Sequence, residues 1–302
     1  MFDILTRAGC FVAIIVIGYV LRKVGFFKEG DFGVLSKIVI KITLPAAIIT
    51  SFSGKNIDVS MLSLALIGLG CGIIYMICGY LLHRTQGKEV QAFAVVNTSG
   101  YNIGNFTLPF VQSFLGPMGV ITASLFDTGN ACICLGSAYS IGAMIKDGNG
   151  FSFKRIIRPL SRSVPFCCYI MMITLNLLNI SLPSPIVSCA EIIGNANAFL
   201  AMLMIGVGFK LSGDKEQIGS ITKILVTRYA LATVFALIAY FVLPFELEVR
   251  QALVILLFSP IASAAPAFTN DLKGDVGLSS AINSISIICS IVIILVLLIV
   301  ML

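Results

Sequence analysis

Charged side chains are scarce in this 302-residue sequence: Asp, Glu, Lys and Arg make up 11% of it, where a soluble domain carries about a quarter. Apolar residues make up 58%, and helices that are apolar on every side need lipid or other helices around them, so a soluble globule is excluded. Nucleic-acid binding goes with it, because a basic patch needs a soluble face; the net charge of +6 bears on membrane topology instead. Histidine occurs once, at His83, and the nine cysteines (Cys10, Cys71, Cys78, Cys132, Cys134, Cys167, Cys168, Cys189 and Cys289) include no C-x-x-C pair. That supply argues against a zinc or iron–sulfur site, so no metal is expected and the thiols read as small buried hydrophobes. H-E-x-x-H is missing, as is any nucleophile–base pair, which argues against an enzyme. A small-residue cleavage site is also missing after the apolar stretch Ala8–Leu21, which therefore reads as a first membrane span and not a secretory signal.

What is present is apolar sequence in long runs, with a mean hydropathy of +1.03. A span needs about 20 mostly apolar residues to cross a hydrocarbon core about 30 Å thick. By that ruler the expected fold is an all-α membrane protein with ten spans, near 6–22, 36–53, 60–83, 92–114, 118–145, 163–182, 185–210, 223–244, 250–270 and 277–301. The loops after odd-numbered spans, with their flanks, hold sixteen basic residues: Arg22, Lys23, Lys28, Lys37, Arg84, Lys88, Lys146, Lys154, Arg155, Arg158, Arg162, Lys210, Lys215, Lys223, Arg228 and Lys273. The other side holds three, Arg7, Lys55 and Arg250, with Lys41 left inside a span. Positive loops stay in the cytoplasm, so a multi-pass protein of the cell membrane with both termini extracytoplasmic is expected.

Residues 146–162 form a basic linker that separates two halves of five spans, 1–145 and 163–302. An odd number of spans per half means that the halves enter the membrane in opposite senses, the inverted repeat of many secondary carriers. The halves share a pattern. Pro109 is followed by Gly116-Pro117-Met118-Gly119, and Pro266 by Gly274-Asp275-Val276-Gly277.

The fourth span carries Asn97-Thr98-Ser99-Gly100-Tyr101-Asn102-Ile103-Gly104-Asn105-Phe106-Thr107-Leu108-Pro109 where bilayer centre is expected. The ninth carries Ser259-Pro260-Ile261-Ala262-Ser263-Ala264-Ala265-Pro266. Proline removes a helical hydrogen bond, and bared backbone groups cost several kcal/mol in hydrocarbon. Such stretches persist only where they line a cavity or are packed in protein. Two broken helices in matching positions point to a carrier's binding site, and half-helix N-termini suit an anion. Asp127 lies near the midplane of the fifth span, where a carboxylate should face a polar interior. It reads as a proton or cation coupling residue, as a group that orients the asparagines, or as a structural acid, with Asn130 on the same face. Lys41 either snorkels to the interface or faces inward as a counter-charge. Asn195 and Asn197 could join the polar interior, and Glu191 reads as interfacial.

Asn102-Ile103-Gly104-Asn105-Phe106-Thr107-Leu108-Pro109, Lys41-Ile42-Thr43-Leu44-Pro45-Ala46 and Ala264-Ala265-Pro266 with Gly274-Asp275-Val276-Gly277 resemble the auxin efflux carrier family of membrane transporters, over essentially the whole chain. The resemblance implies a two-domain carrier in which the crossing fourth and ninth helices belong to a transport domain that moves against a scaffold, an elevator-type mechanism. It implies that Asn102 meets a substrate carboxylate and that Pro109 and Pro266 are the crossover prolines. Thr107 stands where the family more usually has glycine, and the long central loop of many plant members is absent. The expectation is a secondary transporter for a small organic anion, bound by Asn102, Gly104, Asn105, Thr107, Asp127, Asn130, Ser263, Ala264 and Ala265, with Pro109 and Pro266 as hinges and Asp127 or Lys41 as coupling or counter-charge. A proton or sodium ion is the only accessory species considered, and a homodimer is left open. The alternatives are a sodium- or proton-coupled symporter or antiporter of the bile acid and cation-antiporter fold group, and a non-transporting sensor on the same fold.

Overall fold

The computed structural model describes residues 2–28, 30–148, 153–209 and 218–302. Lys210, Lys215 and positions 149–152 of the expected linker lie outside the described residues. Helices dominate. The chain runs through α1 (Phe2–Lys23), α2 (Asp31–Ile38), α3 (Leu44–Phe52), α4 (Ser63–Leu82), α5 (Lys88–Thr98), α6 (Leu108–Cys132), α7 (Ala138–Asp147) and α8 (Lys154–Arg162). It continues through α9 (Val164–Leu177), α10 (Ser184–Asn195), α11 (Asn197–Gly208), α12 (Ile218–Phe241), α13 (Leu247–Leu257), α14 (Ala265–Asp271) and α15 (Val276–Met301). Single π-helical turns lead from α2 into α3 (Val39–Thr43), into the start of α6 (Ile103–Thr107) and from α6 into α7 (Ile133–Ser137).

Among the described residues seven helical stretches are long and apolar enough to cross a membrane, and an eighth if α8 and α9 count as one. Two features separate this count from the expected ten. Ile103–Asp147 is one unbroken run of 45 residues by helical criteria, about 68 Å of helix against a core of about 30 Å. Gly116 divides it, with φ 61° and ψ −155°. The α5 helix and the α13–α14 segment are too short, because each stops at a break inside the bilayer-deep core. Part of the expected linker also differs: Lys154–Arg162 is helical and meets α9 at 78°.

The helices pack in two groups. In one, α1 lies on α11, α3 on α10 and α9, and α2 on α11. In the other, α4 lies on α6 and α5, α5 on α7, α12 on α13, and α14 on α15. The groups meet chiefly where α6 touches α3, α9 and α11. Large apolar side chains such as Leu66, Ile192 and Val300 stand exposed on the outside, as a lipid-facing surface requires.

With lipid tails as apolar as leucine, close backbone approach holds membrane helices together. A Cβ on Gly68 would stand 2.2 Å from the Phe126 carbonyl oxygen, and one on Gly129 1.8 Å from that of Ala65, so α4 and α6 touch backbone to backbone. Gly70, two residues along α4, faces open space. Gly68→Ala should therefore cost about 1–3 kcal/mol by overpacking and lower the thermal midpoint in detergent, whereas Gly70→Ala should leave it unchanged or slightly raised. Equal midpoints for the two variants would refute the contact.

Candidate functional site

Helix α5 ends at Thr98, and the chain then runs extended through Ser99 (φ −87°, ψ 163°) to Gly100 at φ +75°. Only glycine fits there: besides the left-handed backbone, a Cβ would lie 2.8 Å from Cys134 Sγ and 3.1 Å from Ala262 Cβ. Helix α13 ends at Leu257, and α14 begins at Ala265. The two breaks cross antiparallel at Tyr101 and Ile261, and the Asn102 N–H donates to the Pro260 carbonyl at 2.9 Å. Pro109 and Pro266, expected as hinges, each stand in the first turn of the helix that follows a break. Pro266 occupies the first turn of α14, where its missing N–H is no loss, and Pro109 follows the π turn that absorbs it.

The bared backbone groups find partners on neighbouring helices. Arg228 of α12, 1% exposed, donates from one terminal nitrogen to the Thr98 carbonyl at 2.7 Å. From the other it donates to the carbonyls of Ser259 (3.0 Å) and Pro260 (3.2 Å). The rings of Tyr75 and Tyr101 both lie 4.9 Å from the guanidinium carbon. Arg228 was expected at a loop flank, and its burial removes it from the basic residues that orient the chain. On α6, Asn130 accepts from the Tyr101 N–H and donates to the Tyr101 carbonyl, each at 2.9 Å. On α15, Asn283 donates to the carbonyls of Ile261 (3.0 Å) and Ala262 (3.3 Å). An amide on the span after each break thus braces that break.

Facing the second halves of the broken helices is a cavity of about 190 Å³. Asn102, Gly104 and Asn105 line it from the first break, and Ala262, Ser263 and Ala264 from the second. Asp127, Asn130 and Cys134 close one side, and Tyr169 and Phe166 the other. Asn130 donates to Asp127 Oδ1 at 2.7 Å and the Tyr169 hydroxyl to Oδ2 at 3.0 Å. No Lys or Arg lies within ion-pair distance of Asp127 among the described residues. Asn105 reaches Ser263 Oγ at 3.5 Å, while its own carbonyl oxygen is buried without a partner.

Seven expected residues thus come together: Asn102, Gly104, Asn105, Asp127, Asn130, Ser263 and Ala264. Thr107 does not reach the cavity; fully buried, it donates to Ser259 Oγ at 2.6 Å and ties the two breaks together. Ala265 is also buried, its N–H turned to the Ala262 carbonyl at 3.0 Å. Lys41 is exposed on the outer side of its π turn, away from the cavity. Asn197 bridges Thr43 and Gln112 outside the cavity, and Asn195 and Glu191 are exposed. Sequence reading missed Arg228, Asn283 and Tyr169. The first two carried a signal, a polar side chain well inside a long apolar helix; Tyr169 carried none.

Removing Arg228 leaves the Thr98 and Ser259 carbonyls without their donor and the Pro260 carbonyl with the Asn102 N–H alone, so Arg228→Met should cost about 3–5 kcal/mol, by analogy with breaking a buried ion pair. Arg228→Lys, which keeps the charge but not the fork, should fall between it and the unsubstituted protein. Thermal unfolding in detergent reads this order, and any other order would refute the brace.

Residues 10–146 match the family model described as membrane transport protein. The chain is 26% identical over 296 residues to an uncharacterized transporter of Methanothermobacter thermautotrophicus, covering 93% of each chain. It is 25% identical over 205 residues to an uncharacterized transporter of Methanocaldococcus jannaschii, covering 64% of this chain and 65% of that one.

Proposed function

We propose that this chain, whose residues 10–146 match the membrane transport protein family, is a secondary carrier of a small organic anion, a carboxylate. It is not an enzyme. The observation that carries the reading is the cavity at the crossed breaks. Asn102, Gly104 and Asn105 at the head of the Ile103–Thr107 turn line it together with Ser263, and their backbone N–H, amide and hydroxyl groups are the donors that an anion would use. Its volume, about 190 Å³, lies below the range of about 300–1,000 Å³ typical of drug-sized ligands, which favours a small solute.

In this reading the chain makes ten crossings in two inverted halves, 1–145 and 163–302, joined by the basic segment 146–162. The helices that hold the crossed breaks form a transport unit that slides, elevator-fashion, against a scaffold of α1, α2–α3, α9 and α10–α11. The separate packing of those two groups supports this division. Across their boundary run a few breakable polar ties, among them Tyr169 to Asp127 and Asn197 to Gln112 at 3.1 Å. Proteoliposomes offered a panel of radiolabelled carboxylates should take up at least one, and Asn102→Ala and Asn105→Ala should each cut that uptake by at least about tenfold, one lost charge-assisted contact. Unchanged uptake in both variants would remove the site assignment.

One observation favours a cation-coupled form of this activity. Asp127 faces the same cavity as the anion with no basic partner among the described residues, so a proton or sodium ion bound at its carboxylate would relieve the repulsion between the two negative charges. Anion uptake should then depend on a proton or sodium gradient, and Asp127→Asn should make uptake indifferent to it. Uptake that ignores both gradients in the unsubstituted protein would exclude coupling and leave the carrier reading standing.

A further inference from the structure

Helix α8 sorts its side chains by chemistry. At helical spacing Lys154, Arg155, Arg158 and Arg162 share one face, and Phe153, Ile156, Ile157 and Leu160 the other. Ile156 is buried, and the backbone of α8 lies so close to Gly136 that a Cβ there would stand 2.6 Å from the Arg155 carbonyl oxygen. Phe153 and Ile157 stand exposed on the apolar side, which places α8 along the membrane boundary with that side toward lipid.

The basic face turns the other way, into a cleft of about 430 Å³ between α8, the Ile133–Ser137 turn and α14. Lys154, Arg155 and Arg158 line it, with Arg155 held over the Tyr139 ring at 5.7 Å. Asp271 is the acid among its described lining residues, so positive charge prevails. Leu135 lines both this cleft and the central cavity, so the two spaces adjoin at that residue.

A second connection runs along α14. Ser263, which lines the cavity, lies in the turn just before α14; Ala267 and, four residues on, Asp271, which lines the cleft, share one face of α14, and all three are exposed, as is Asn270 beside them. A stripe of that composition is unsuited to hydrocarbon, since polar and charged groups at membrane depth face protein or water-filled space.

We propose that the cleft under α8 is the vestibule through which a small anion passes between the central cavity and the side of the membrane that the basic loops assign to the cytoplasm. Lys154, Arg155 and Arg158 concentrate anions there, the α14 stripe is its wetted wall, and Leu135 is the barrier between vestibule and cavity. Clefts lined by one sign of charge raise local counter-ion concentration and on-rates by about 10–10³-fold. The proposal rests on the anion-carrier reading for its purpose, but its test needs no transported substrate.

The full chain carrying Ala267→Cys, in phosphatidylcholine vesicles, is labelled with a sulfonate-bearing and a trimethylammonium-bearing methanethiosulfonate. Labelling is read at residue 267 by peptide mass spectrometry, with each rate normalised to that reagent's rate with a free small thiol. The sulfonate reagent should be favoured about tenfold, and the preference should vanish at about 1 M salt, where the screening length is about 3 Å. It should also vanish when Lys154→Gln, Arg155→Gln and Arg158→Gln are added, while a neutral reagent labels both proteins equally and so reports an intact, open stripe. Equal normalised rates in the first protein, a preference that survives the three substitutions, or an introduced thiol closed to every water-borne reagent would each overturn the proposal. So would a preference that disappears in vesicles containing phosphatidylglycerol, which would assign the cations to lipid phosphates. Because labelling needs no turnover, lost anion uptake with the charge preference intact would sink the carrier reading alone.

Discussion

A backbone carbonyl bared halfway through a bilayer must find a donor, and in this protein Arg228 supplies one for three of them. Its guanidinium lies between the C-terminal end of α5 and the end of the α13 stretch, both of which carry partial negative charge from the helix dipoles. Burying a cation is costly unless it is paired and hydrogen-bonded. Here those two helix ends and the flanking rings of Tyr75 and Tyr101 stand in for the lost water at the terminal nitrogens, while Nε is buried without a partner. The planar fork of arginine suits the task, because one side chain must serve carbonyls from two different segments at once. Asn130 and Asn283 complete the accounting, each on the span that follows the break it braces.

This arrangement also bears on the sign of charge that the proposed site would take. The negative ends of the first half-helices are spent on Arg228, on the far side of Tyr101 from the cavity. The second halves begin beside the cavity: Asn102, Gly104 and Asn105 line it at the head of the Ile103–Thr107 turn, and Ala262, Ser263 and Ala264 line it just before α14, whose first N–H is already bonded to the Ala262 carbonyl. In the proposed reading, such a cavity receives an acceptor-rich solute. Asp127 works against such a solute, and its hydrogen bonds from Asn130 and Tyr169 tie the charge to one helix group and the polar contact to the other. The cavity lining and the contact between the two helix groups therefore share a residue, as the proposed carrier reading needs if binding is to bias a motion between them.

Much of the site could be read in advance from residue types that hydrocarbon does not tolerate. Asn102, Asn105, Asp127 and Asn130 announced themselves as polar side chains deep in apolar runs, and Gly100 and Pro260 fall at the breaks themselves. Thr107 misled because a hydroxyl in the right stretch need not face the cavity: the π turn before α6 rotates it toward Ser259. Lys41 sits in a π turn as well, and it emerges on the outer surface. Arg228 misled for another reason. It follows Lys223 closely enough to look like loop-flanking charge, and only the tilt and packing of α12 against both breaks carries it to the centre.

By itself the sequence determined that the chain lives in lipid, that its helices are interrupted at two matched places, and which polar residues are too expensive to face fat. These are one-dimensional properties, since the transfer cost of a residue and the helix-breaking effect of glycine or proline depend little on distant neighbours. The crossing of the two breaks, the brace at Arg228, the cavity shared with Tyr169 and the cleft under α8 were decided only by the tertiary structure. Each joins residues far apart along the chain, as Thr98 and Arg228 are at 130 positions, or depends on the direction in which a side chain leaves its helix. Neither is encoded in any local window of sequence.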